Sequence, residues 1–298
     1  MSEIIPATAP CSWGVWYADG APSGVPYSVF LDGAAQAGYK MLELGPDGYL
    51  PTDVGRLREE LDARKLSICS GTTCYAFDRF NSFADFREQI DKLCRRLGSF
   101  HASYLITMDE SDVGTYSEKK KNFSPDLWRK YFRMWKEMGA YTYGEYGVTT
   151  LFHPHIKSLV ETEDEICKMM EHTDLNLCFD IGHHAYVNGS GAYGDSSALD
   201  FILRYPERIA YLHFKNVDHA ILEKVRKENL NSDVAFDMDV MGLLDEGIVD
   251  YNALRDVLEQ INFAGIGVVE QDVPNATAEE ATHMAKHNLD YLKKIQLI

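Results

Sequence analysis

The stretch Leu-Asn-Leu-Cys-Phe-Asp at Leu175–Asp180 decides the fold, because an apolar run there ends on a carboxylate. Two other apolar runs also lead into a polar side chain: Ile209–Leu212 leads into the imidazole of His213, and Ile266–Val269 leads into the carboxylate of Glu270. A parallel α/β barrel carries its functional side chains at the carboxyl ends of its strands. Since buried polar groups are costly, a purely structural strand would not place them there. The pattern therefore predicts a barrel with a functional site at one end.

A unit of a short β-rich run, a polar loop and an amphipathic helix recurs along the chain. The predicted strands are Ile4–Ala7, Met41–Leu44, Leu66–Ser70, Ser103–Thr107, Val148–Phe152, Leu175–Phe179, Ile209–Leu212 and Gly267–Val269. Predicted helices include Tyr27–Ala37, Asp126–Tyr143 after the Ser124-Pro125 cap, and Ala281–Lys293; capping boxes begin at Thr162 and Thr277. Eight such units predict an α/β fold, a single (β/α)8 TIM barrel spanning residues 1–298. A doubly wound open sheet is the alternative, but no glycine-rich phosphate motif follows the first strand.

Composition restricts the classes of partner. The net charge is −17, which argues against nucleic acid as a partner, and the basic run Lys119–Lys121 is interpreted as a solvated loop. No apolar run is long enough for a membrane span, and the N-terminal residues do not resemble a secretory signal. The six cysteines are scattered and form no CxxC pair, so we expect them to be reduced and the protein to be cytoplasmic, with a homo-oligomer left open.

Three strand-end residues, Asp180, His213 and Glu270, are the predicted metal ligands. Two carboxylates and an imidazole suit Mn²⁺, Co²⁺, Fe²⁺ or Zn²⁺, and Mg²⁺ is also possible. His153 and His155 follow the fifth strand on the same side, so one would complete the ligand set and the other would face the substrate.

Further polar groups at the same end suggest proton transfer. His155 and His183 are the candidates for general acid and base, while the adjacent His184 is expected to point into solvent. Lys215 would either polarise a substrate oxygen or form a structural ion pair with Asp180 or Glu270.

The opposite wall is predicted to bind a polyol substrate. Trp13, Glu43 and Thr73 follow the first three strands and are the candidate substrate contacts. Asn216–Asp250 contains no strong strand pattern. Its end, Gly242–Gly247, is predicted to be a loop crossing the barrel mouth as a substrate cover.

Two motifs and the last strand carry a resemblance over essentially the whole chain. Phe179-Asp180-Ile181-Gly182-His183, Leu212-His213-Phe214-Lys215-Asn216 and Glu270 resemble the xylose-isomerase-like barrels, which are sugar isomerases and epimerases and include the endonuclease IV type. The resemblance implies that Asp180, His213 and Glu270 bind metal. The family's fourth ligand is a Glu at the end of strand five, where this chain has His153. Glu161, farther along that loop, could replace it, and it is also an alternative base.

Within that family, the chain resembles the inosose dehydratases of inositol catabolism. The resemblance rests on Pro10–Trp16, Glu43–Pro46, Gly48–Pro51, His153–His155 and Val160–Thr162. It implies a metal-dependent lyase, with Mn²⁺ or Co²⁺, that dehydrates a ketoinositol to a cyclic trihydroxy dione through an enediolate. The alternative is a keto-sugar isomerase or epimerase, which shares the enediolate but loses no water.

Overall fold

Eight parallel strands close into a barrel, as the sequence predicts. The computed structural model describes residues 3–75, 81–109 and 123–298, so the basic run Lys119–Lys121 lies outside the described residues. The barrel strands are β1 (Glu3–Thr8), β2 (Met41–Glu43), β3 (Ser67–Tyr75), β4 (Tyr104–Asp109), β5 (Thr149–Phe152), β6 (Asn176–Asp180), β7 (Ile209–Phe214) and β10 (Ala264–Val269). The pairing of β1 with β10, in register from Glu3 opposite Ala264 to Thr8 opposite Val269, closes the ring.

Helices alternate with the strands and cover the outside of the barrel. They are α1 (Tyr27–Ala37), α2 (Val54–Arg64), α3 (Arg87–Ser99), α4 (Pro125–Tyr146), α5 (Glu163–His172), α6 (Ile181–Asn188), α7 (Ser197–Arg204), α8 (His219–Glu228), α9 (Ser232–Asp237), α10 (Tyr251–Gln260) and α11 (Ala278–Lys294). The predicted caps are confirmed: Ser124 accepts from the backbone N–H of Leu127, and capping boxes begin α5 at Thr162 and α11 at Thr277.

The buried interior of the barrel is small and lies directly beneath the site. Its apolar cluster takes side chains from the strands and the turn after β1: Ala7, Ala9, Cys69, Ile106, Leu151, Cys178, Tyr211 and Val268. A much larger cluster packs between the strands and the helices. All six cysteines, each within the described ranges, are free thiols. In those ranges no helix combines the length and the apolar character needed to cross a bilayer.

The segment after β7 differs from the predicted loop. It contains α8, α9 and a short antiparallel pair, β8 (Asn216–Val217) with β9 (Met241–Gly242). Side-chain caps at Asp218 and Asn231 begin the two helices. The Asn216 amide donates to the backbone oxygens of Leu244 and Val249, so Gly242–Gly247 is fixed against β8. The residues of this segment that reach the cavity come instead from α9.

Candidate active site

A cavity of about 640 Å³ opens at the carboxyl ends of the strands. That volume lies within the range of small-molecule sites. Most of the predicted site residues line it: Glu43, Thr73, His153, His155, His183, His213, Lys215 and Glu270. Asp180 lies just behind this lining, where it is 2 % exposed.

Strand register brings the three predicted metal ligands together. Asp180 of β6 is paired with His213 of β7, and Glu270 follows β10, which pairs with β7 on its other side. The His213 Nδ1 atom lies 3.0 Å from Glu270 Oε2 and 3.7 Å from Asp180 Oδ2. The structure thus places one imidazole nitrogen between two carboxylates, as three adjacent strand ends should.

Lys215 lies among the same carboxylates and is almost fully buried. Its Nζ atom is 3.2 Å from Asp180 Oδ2, 3.2 Å from Glu270 Oε2 and 2.8 Å from Asp272 Oδ2. Burial alone would lower the pKa of Lys215, but these three carboxylates outweigh it and raise that pKa well above its usual value. The ammonium is therefore charged and holds the carboxylates together.

The residues present fit a divalent cation. Asp180 Oδ2 and His213 Nδ1 are buried and have no hydrogen-bond partner of good geometry in the described part of the chain. The single Lys215 ammonium faces three carboxylates, which leaves excess negative charge. Despite burial, the neighbouring Cys178 sulfur and the Glu270 and Glu43 carboxylates raise the pKa of His213. A bound cation would offset the same excess negative charge. The mixture of oxygen and nitrogen donors suits a first-row divalent metal.

A second cluster consists of three imidazoles that face the cavity. His153, His155 and His183 present ring nitrogens that all lie within 4.8 Å of one another. The Nδ1 atoms of His153 and His155 lie 3.2 Å from the Cys178 carbonyl oxygen and 2.6 Å from the Ile156 carbonyl oxygen, respectively. Burial lowers the pKa of His153 to about 3 and lowers that of His183 well below its usual value. His153 and His183 are therefore neutral imidazoles at neutral pH.

Glu161 is not among the residues that line the main cavity around His213. Its carboxylate accepts from the backbone N–H of Lys157 at 2.9 Å and borders a small cavity behind His155 and His183. Among the described residues it belongs to none of the sets of three possible metal ligands whose atoms approach within 4.8 Å. Its roles as ligand and as base stay predictions.

The prediction that Trp13 contacts substrate is corrected by the structure. Its ring is fully buried, packs edge-on against Phe30 at 5.0 Å and donates from Nε1 to Thr282 Oγ1 at 3.1 Å. The reason is local: a short 3₁₀ turn at Pro10–Trp13 ends at Gly14 with φ 68° and directs Trp13 toward the helices.

The aromatic residues that line the cavity are Trp16, Tyr17, Tyr75 and Phe236, none of which the sequence analysis selected. Two of them, Trp16 and Phe236, pack against each other. Their rings meet edge to face at 6.1 Å, and Phe236 also approaches His183 at 6.3 Å. Trp16 belongs to the Pro10–Trp16 motif, so a signal for it existed. Phe236 lies on α9 in a segment with no distinctive pattern.

His184 also differs from its prediction, since it is buried rather than directed into solvent. Its ring packs between Phe179 at 5.1 Å and Phe201 at 5.2 Å, and its Nε2 atom is 3.3 Å from Glu163 Oε1. Asp180 begins α6 as its N-cap by accepting from the backbone N–H of His183 at 2.8 Å. Successive helical residues then point in different directions, so His183 faces the cavity and His184 faces the core.

Comparison with known proteins agrees with this architecture. The model of the xylose isomerase-like TIM barrel family matches residues 31–295. The chain belongs to that family. It is 25 % identical to an inosose dehydratase of Bacillus licheniformis, over 93 % of this chain and 94 % of that protein. It is 30 % identical to the rhizopine catabolism protein MocC of Rhizobium meliloti, over 93 % of this chain and 83 % of that protein. The crystal structure of the IolI protein with a bound zinc atom superposes with a TM-score of 0.70 at 14 % identity, covering 98 % of this chain and 99 % of that one.

Proposed function

We propose that this protein is a metal-dependent carbon–oxygen lyase that dehydrates scyllo-inosose (2-keto-myo-inositol) to a cyclic trihydroxy dione. The observation that carries the proposal is the likeness to an inosose dehydratase over nearly the full length of both chains. A cavity that combines a cation-binding group with imidazoles, at a volume suited to a six-membered polyol ring, supports the chemistry.

The metal would be held by Asp180, His213 and Glu270, and it would satisfy Asp180 Oδ2 and His213 Nδ1, which are buried and lack a hydrogen bond of good geometry among the described residues. When bound, a divalent metal supplies a Lewis acid that makes the C–H beside a ketone more acidic. Mn²⁺ or Co²⁺ is our first choice because both accept mixed carboxylate and imidazole ligands.

The residues around this group supply the proton transfers. His155 and His183 lie with ring centroids 4.2 Å apart on one side of the cavity. One imidazole, neutral at the start, takes the proton from the carbon beside the ketone. The other, an imidazolium at the start, gives its proton to the hydroxyl on the next carbon as the C–O bond of that hydroxyl breaks. Water leaves, and the resulting enol tautomerises to the dione. The Lys215 ammonium stabilises the negative charge that develops on the ketone oxygen when the neighbouring carbon loses its proton.

Trp16 and Phe236 form an aromatic wall that explains how the polyol ring of the substrate is held against the catalytic groups. Trp16 and Phe236 line the same cavity as the strand-end residues, and Thr73 adds a hydroxyl to the lining. Aromatic faces pack well against the C–H face of a polyol, while its hydroxyls reach the polar wall.

The test is incubation of the Mn²⁺-loaded protein with scyllo-inosose, followed by mass spectrometry of the products. We expect a product lighter by one water, and we expect chelation of the metal to abolish its formation. A new isomer of unchanged mass would instead make the protein an isomerase or epimerase, in which the same neighbouring imidazoles return the proton to carbon. The absence of any reaction would contradict the substrate assignment.

A further inference from the structure

Glu43 is a carboxylate of the cavity lining that accepts hydrogen bonds from three hydroxyl groups. Its Oε1 atom accepts from the Tyr211 hydroxyl at 2.8 Å and from the Ser70 hydroxyl at 3.0 Å. Its Oε2 atom accepts from Thr72 Oγ1 at 3.4 Å. The side chain is 2 % exposed, so these donors hold it in one orientation from the barrel interior. A carboxylate held this way serves to orient another group.

The group that Glu43 faces is His213. Glu43 Oε1 lies 3.4 Å from His213 Nε2, whereas Glu270 and Asp180 face the other ring nitrogen, Nδ1, at 3.0 Å and 3.7 Å. The two nitrogens of an imidazole direct their lone pairs or N–H bonds to opposite edges of the ring. Glu43 and the two other carboxylates therefore face different nitrogens of the same ring.

We propose that Glu43 is a positioning residue that fixes the tautomer and orientation of His213. By accepting the Nε2–H, it keeps the lone pair on Nδ1, directed between Asp180 and Glu270. Metal-binding histidines commonly donate their second N–H to a carboxylate in this way, and loss of that partner weakens metal binding by roughly 10–100-fold. This inference deepens the proposed function, since it rests on a cation held by Asp180, His213 and Glu270.

The alternative role for Glu43 is that of a direct ligand, because Glu43, His213 and Glu270 have ligand atoms within 4.8 Å of one another. Two observations favour the positioning role. The Glu43 carboxylate faces Nε2, whereas an ion held together with Asp180 and Glu270 would bind at Nδ1. In addition, Oε1 already accepts from two hydroxyls, which reduces its electron density for a metal.

The experiment is a Co²⁺ titration of the metal-free wild-type protein and of Glu43→Gln, read by competition with a chelator and by the visible d–d spectrum of the bound ion. We expect roughly 10–100-fold weaker binding with an unchanged d–d spectrum, because the ligands stay the same and only their orientation is lost. Equal affinity would overturn the proposal. So would a changed spectrum, because it would mean that a ligand had been lost.

The matched control is Glu280→Gln, the same substitution at an exposed capping-box residue of α11. It should leave Co²⁺ affinity unchanged. Ser70→Ala is a graded comparison, because it removes one donor to Glu43 and leaves the contact with His213. We expect Ser70→Ala to weaken binding less than Glu43→Gln does.

Should Glu43→Gln fail to fold, ¹⁵N NMR of the Zn²⁺-loaded wild-type protein answers the same question. We expect His213, assigned by its missing signal in His213→Gln, to carry its proton on Nε2. A proton on Nδ1 would overturn the proposal. A wild-type protein that binds Co²⁺ but does not dehydrate scyllo-inosose would contradict the proposed substrate and leave the role of Glu43 intact.

Discussion

The two walls of the cavity are built in different ways. The polar wall consists of residues at the ends of neighbouring strands, and strand register alone places Asp180 beside His213. The aromatic wall consists of Trp16 from the turn after β1 and Phe236 from α9, which meet at 6.1 Å without any shared backbone pairing. The comparison suggests that register determines the chemistry of this site and that loop conformation determines its shape.

Removing one charge from the polar wall should have the largest effect. Asp180→Asn keeps the N-cap of α6, because Asn is as good a cap as Asp, but it deprives both His213 and Lys215 of a buried carboxylate. Loss of a group that merely supports a metal ligand weakens metal binding by roughly 10–100-fold, so for loss of a ligand carboxylate we expect Co²⁺ affinity to fall by about a hundredfold or more and turnover to become undetectable. Isothermal titration and the mass assay measure both effects.

Circular dichroism supplies the control for that variant. An unchanged far-UV spectrum is expected, because the apolar core lies beneath the site and is untouched. Global unfolding of Asp180→Asn would instead mean that the polar wall is a structural element.

Two nearby tryptophans test the aromatic wall by the same substitution. Trp13→Ala should lower the free energy of unfolding by about 3–5 kcal/mol and leave KM unchanged, since this ring fills the core. Trp16→Ala should raise KM by roughly 3–10-fold, which corresponds to about 0.5–1.5 kcal/mol of aromatic contact, with little loss of stability. Denaturant titration and steady-state kinetics separate the two effects. The reverse assignment of the two phenotypes would restore Trp13 as the substrate contact.

The same contrast explains how much could be predicted from sequence. Apolar runs that end in Asp180, His213 and Glu270 locate strand ends, and parallel strands bring their ends together whatever the loops do. The path of a turn depends on single backbone angles, such as φ 68° at Gly14, which periodicity does not report. Trp13 and Trp16 therefore could not be distinguished, and Phe236 could be found only once the segment after β7 had a structure.

His184 gives the smallest and most local test, because it asks whether this ring lies in the core or belongs to the polar wall. Burial lowers the pKa of His184 to about 3, against about 6.5 when it is unfolded. The unfolded chain therefore binds more protons between these values, and the stability contributed by a neutral His184 is full above pH 6.5 and is lost as the pH falls toward 3. From pH 7 to pH 5 the loss from this one group is about 2 kcal/mol.

We expect His184→Gln to be less stable at pH 7, because the packing against Phe179 and Phe201 is lost, but to lose less further stability at pH 5 than the wild type. His153 and His183 titrate in both proteins, so the difference between the two denaturation series isolates His184. If the two series ran parallel, His184 would have to titrate as an exposed histidine, and the core position of its ring would be wrong.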